Sequence, residues 1–88
     1  MPEICRFLGI IIRMYFNDTK QHNKPHFHVE YGEYKAEIGI DGEVLSGNIP
    51  NKQLKLIQAW ALIHEEELYK AWNKAVKQEH FDKINPLN

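Results

Sequence analysis

Lys24-Pro25-His26-Phe27-His28-Val29-Glu30-Tyr31-Gly32 is the stretch on which the fold turns. Successive side chains of a strand point to opposite faces. His26, His28 and Glu30 therefore line one face, and Phe27, Val29 and Tyr31 line the other. Pro25 suits the first position of such a strand, because it has no N–H for the ladder. Gly32 is a turn residue. The reading is a strand over residues 25–31 with one apolar face and one imidazole–carboxylate face.

The segments on either side alternate in the same way. Ile10, Ile12, Met14 and Phe16 form one row of a strand over residues 10–16, and Ile11, Arg13 and Tyr15 form the other. A shorter strand near residues 3–7 precedes it, with Gly9 as the place where the chain bulges, bends or breaks. Asn17 to Lys24 is polar and precedes a proline, so it reads as the loop joining strands 10–16 and 25–31 in an antiparallel pair. Gly32-Glu33 is a tight connection to a strand over 34–40, where Tyr34, Ala36, Ile38 and Ile40 point one way and Lys35, Glu37 and Gly39 the other. Asp41-Gly42 signals a second hairpin into a short strand at 43–46, with Val44 inward.

From Asn51 the period changes to that of a helix. Leu54, Ile57, Ala61, Leu68, Trp72, Ala75 and Val76 recur on one side, and neither Gly nor Pro interrupts residues 51–78. One helix over 51–77 would be about 40 Å long at 1.5 Å per residue. A break near His64 into two helices is the alternative. The Glu65-Glu66-Glu67 run reads as a solvated helix face, and residues 78–88 as a polar tail that folds back or frays. The expected architecture is α+β: a single domain with an antiparallel sheet of three or four strands packed on one long C-terminal helix.

Composition narrows the function classes. The chain has 88 residues, 43% hydrophobic and 26% charged, which suits one globular core. A formal net charge of −1 gives no overall electrostatic footprint for nucleic acid, although a local basic patch is compatible with it. The single cysteine, Cys5, has no internal disulfide partner and sits among apolar residues, as a small buried hydrophobe does. The longest apolar run falls far short of the roughly 20 residues that span a bilayer. With no recognisable leader, the expectation is a cytoplasmic protein with no membrane partner.

Three of five histidines, His22, His26 and His28, fall within seven positions. Three readings compete for them. Two histidines about 6.6 Å apart along one strand face can converge on a metal ion, with His22, Asp18 or Glu30 as third ligand. Alternatively, His26 and His28 act as an acid–base pair on a phosphodiester, with Arg13 or Lys24 stabilising the phosphate and His22 and Glu30 assisting. The bland reading is that they face water or an interface, beside Tyr15, Tyr31 and Tyr34. His64 is expected at the edge of the core and His80 in solvent. Trp60 and Trp72, twelve positions apart on a continuous helix, would differ by 120° at 100° per residue, so either one faces a partner or both are part-buried. No cofactor is assigned by these residues.

Ile4-Cys5-Arg6-Phe7-Leu8-Gly9-Ile10-Ile11-Ile12, then Met14-Tyr15-Phe16, and above all Pro25-His26-Phe27-His28-Val29-Glu30-Tyr31 resemble a small prokaryotic family known as domain of unknown function 4160. Lys35-Ala36-Glu37-Ile38 and the Leu54 to Trp60 spacing continue the resemblance, which covers about residues 2–76. In the family's usual pattern an Asp-His pair lies close before the proline. Here the segment between Asp18 and Pro25 is longer, and His22 is the candidate for that histidine. Members are often encoded beside another small protein. The resemblance thus implies one half of a type II toxin–antitoxin module, the toxin half, with a small antitoxin-like protein as partner. Joined to the histidine reading, the leading expectation is that the His26/His28 face acts on RNA or another nucleic acid, or on a nucleotide, or blocks another target. The rival expectation is a non-enzymatic binding or regulatory subunit, antitoxin-like, with the tyrosines and one tryptophan carrying the binding energy, or a small histidine metal-binding domain. A homo-oligomer is compatible with any of these.

Overall fold

The computed structural model describes residues 3–15 and 24–87. Expectations for Phe16, for the loop through Asn23, and for Asp18 and His22 as site residues lie outside the described residues.

Five strands form one antiparallel sheet in chain order: β1 (Glu3–Phe7), β2 (Ile10–Arg13), β3 (His26–Tyr31), β4 (Tyr34–Gly39) and β5 (Val44–Gly47). The sheet is thus one strand larger than the three or four expected. Leu8 and Gly9 both have positive φ and close the β1–β2 hairpin, so Gly9 ends a strand rather than bulging one. The bulge lies in β1 itself, between Glu3 and Cys5, which lets consecutive residues Ile4 and Cys5 both be buried. The two-residue Gly32-Glu33 turn pairs Tyr31 with Tyr34 and hence His28 with Glu37. A second irregularity in the β4–β5 ladder lies between Glu37 and Ile38. Val44, expected inward, is 41% exposed, because β5 is an edge strand with a neighbour on one side only.

The helical part divides into α1 (Asn51–Ile63) and α2 (Glu65–Val76), which corrects the single long helix. His64 leaves helical geometry at φ −107°, ψ 25°. The hydrogen-bond ladder nevertheless runs through it, from His64 N–H to Trp60 C=O and from Leu68 N–H to His64 C=O. Its imidazole Nδ1 lies 2.7 Å from Glu67 Oε1. The acidic run is the first turn of α2, where carboxylates face the positive end of the helix dipole. It is a helix start, not only a wet face.

The core gathers the apolar row of the sheet (Ile10, Ile12, Phe27, Val29 and Ile38 among others) under Ile57, Trp60, Ala61 and Leu68. Trp60 is completely buried, with its ring 5.7 Å from Phe27 and 6.0 Å from Phe7. Trp72 is buried as well, so neither tryptophan is free for a partner. The C-terminal segment folds back. Phe81 and Ile84 are buried, Ile84 N–H donates to Ile4 C=O, and the Trp60 indole N–H donates to Asn85 C=O at 2.8 Å. Cys5 is buried as expected, and burial pushes its thiol pKa up.

Candidate metal-binding and catalytic face

The site is built by strand register. Residues directly opposite in antiparallel strands share a face. Arg13 pairs with His28, His28 with Glu37, and Glu37 with Ser46, giving a row across β2, β3, β4 and β5. The next row carries Ile11, Glu30 and Lys35. This places Arg13 on the histidine face, which its position in the sequence alone left open. Its guanidinium Nε donates to Glu30 Oε2 at 3.1 Å.

His26 and His28 do share one face, with ring centroids 5.4 Å apart. Their surroundings differ. His26 is 1% exposed and lies against the indole of Trp72, 5.0 Å between centroids. Its Nδ1 sits 2.7 Å from the Lys24 carbonyl oxygen, and its Nε2 faces Glu37 Oε1 at 3.7 Å. A carbonyl only accepts, so Nδ1 carries the proton and Nε2 is the atom turned to the carboxylate. His28 is half-buried, with Tyr15 edge-on to its ring at 4.2 Å. Glu37 uses its second oxygen, Oε2, to accept from the Ser46 hydroxyl at 2.9 Å.

One ligand atom from each of His26, His28 and Glu37 lies within 4.8 Å of the others. These are the ligand types of a two-histidine, one-carboxylate centre. An open cleft of about 310 Å³ adjoins the cluster, lined by Tyr15, His28, Glu30, Lys35, Glu37 and Ser46 among others.

Lys24 does not reach into this cleft. It is held by Asp41 at 2.6 Å and by Glu43. These hydrogen bonds, Asp41's first, raise the Lys24 pKa, and the same ammonium lowers that of Asp41. His64 sits at the edge of the core beside Trp60, as expected, 5.8 Å between rings.

Glu37 is the member of this cluster that the sequence reading passed over. The signal was present. A two-residue turn at 32–33 fixes the register, so position 28 must face position 37, where a carboxylate stands on the polar row of its strand. Ser46 was hidden by the β4–β5 irregularity, which nothing local announces.

No curated protein and no solved structure matched the chain. A family model described as "Domain of unknown function (DUF4160)" matches residues 9–73, from the β1–β2 turn into α2 and including the whole histidine face. By that match the chain belongs to the DUF4160 family.

Proposed function

We propose that this protein is the toxin-like component of a prokaryotic two-protein module, and that its histidine face acts on the phosphate of a nucleic acid or nucleotide. The observation that carries the reading is the row Arg13–His28–Glu37–Ser46 beside an open cleft. It sets a guanidinium, an imidazole, a carboxylate and a hydroxyl side by side. Guanidinium suits phosphate through its planar fork of donors. Imidazole exchanges protons near neutral pH. Among the described histidines, His28 reaches the cleft. His26, buried beneath Trp72, stands behind it. A substrate phosphate would draw Arg13 away from Glu30, so binding and release of that ion pair are coupled. A small cognate protein would hold the face closed until it is needed.

The test is growth of cells expressing the wild-type chain, His28→Ala or Arg13→Ala, with folding checked by circular dichroism. Arrest by wild type and relief by both folded variants is expected. No arrest by wild type, or equal arrest by the variants, overturns the reading.

A second reading, a non-enzymatic binding subunit, has one observation in its favour. Leu62 and Ile63, adjacent at the end of α1, are 74% and 64% exposed. Leu62→Glu with Ile63→Glu would abolish partner capture under that reading and leave it intact under the first.

A further inference from the structure

We infer that His26, His28 and Glu37 form a three-ligand site for a divalent transition-metal ion of the zinc class. Three features converge on it. The first is proximity. Three atoms no more than 4.8 Å apart all lie within about 2.8 Å of some common point, since 4.8/√3 ≈ 2.8. Side-chain contraction of under about 1 Å per ligand then reaches the ~2.0–2.2 Å of zinc–nitrogen and zinc–oxygen bonds.

The second is the outer shell. Metal-bound histidines typically donate their other ring N–H to a carbonyl or carboxylate, which fixes the tautomer and aims the lone pair. His26 does so through Nδ1 to Lys24 C=O, with Nε2 toward Glu37. Glu37 is oriented in the same manner, by Ser46 on Oε2, with Oε1 left toward His26. Two of three ligands are thus pre-aimed by residues outside the cluster.

The third is electrostatic. Two imidazoles and a carboxylate brought this close form a donor set that suits a divalent cation. The neighbouring cleft leaves the outer side of the site open to water or an added ligand, as in sites where a metal works rather than braces the fold. Arg13 and Glu30 stand beside it and are not needed as ligands.

The inference goes beyond the phosphate reading and does not depend on it, because its readout is metal binding and not growth. The full chain is stripped with a chelator, and Zn²⁺ is titrated by calorimetry, with Co²⁺ absorption as a probe of coordination. Wild type should bind one ion per chain and melt at higher temperature with Zn²⁺ present, since the ion binds the folded form. His28→Ala and Glu37→Gln should each bind at least about tenfold more weakly, and Ser46→Ala should weaken binding by about tenfold through Glu37. His28, Glu37 and Ser46 lie at the cleft rather than in the core, so these variants keep the fold even where His26→Ala does not. His64→Ala should bind as wild type. The inference is overturned if wild type takes up no stoichiometric ion. It is equally overturned if folded His28→Ala and Glu37→Gln bind normally, or if His64→Ala abolishes binding.

Discussion

On one face of the sheet, Phe27 and Phe7 meet Trp60, whose indole N–H donates to Asn85 C=O. On the other, Trp72 again supplies an indole, but what it covers is His26, with Glu37 and His28 beside it. Both faces thus use an aromatic lid, over opposite chemistry. The apolar face gains stability from every contact it buries. The histidine face also buries polar groups, each of which needs a partner. Placing an imidazole and a carboxylate where an apolar pair of similar volume would pack is at best neutral for folding. An arrangement of this kind, beside a cleft and oriented by partners outside the cluster, is what the proposed function calls for.

That contrast is broken most directly at Trp60. Trp60→Ala should cost about 3–5 kcal/mol, because it removes the ring that Phe7 and Phe27 pack against and releases the C-terminal segment at Asn85. Urea denaturation measures it. A loss under about 1 kcal/mol would mean that the apolar face is not the main source of stability, and the comparison would fail at its first term.

How much of this could be read in advance differs between the faces for a physical reason. Period-two alternation is local, so residues 25–31 and 34–40 announced both rows of β3 and β4 correctly. The hairpin turn carried the register as well, and Glu37 followed from it by counting. The α1–α2 break was written in Glu65-Glu66-Glu67, acidic residues suited to a helix start, though periodicity alone ran straight across them. Trp60 and Trp72 are both buried, on different partners. Other features had no local signature. The β1 bulge, the offset that brings Ser46 to Glu37, and the docking of Ile84 on Ile4 depend on partners distant in sequence.

Gly47 sharpens the comparison from the opposite side, since it acts on the histidine face through backbone alone. It has φ +82°, and a Cβ there would lie 2.2 Å from the Lys35 carbonyl oxygen and 2.7 Å from Ala36 Cα. Gly47→Ala should destabilise by about 1–3 kcal/mol, less than Trp60→Ala. It should also shift β5 against β4 and pull Ser46 from Glu37. A variant as stable as wild type in thermal melts would show that the edge strand can slip without cost, and the row across four strands would lose its outer member.

The smallest effect distinguishes the two faces in kind. Arg13 and Glu30 form an ion pair at 3.1 Å, with side chains 22% and 32% exposed. Such partly exposed pairs contribute about 0.2–1 kcal/mol, and salt screens them. A double-mutant cycle with Arg13→Ala and Glu30→Ala should return a coupling in that range, shrinking as ionic strength rises. The same cycle on Phe27 and Trp60 should return a coupling that salt does not reduce, because aromatic packing carries no net charge to screen. Salt-insensitive coupling at Arg13–Glu30 would mean that the guanidinium is locked in place rather than available to exchange one anion for another. A phosphate could then not displace Glu30, and the histidine face would have to work without Arg13.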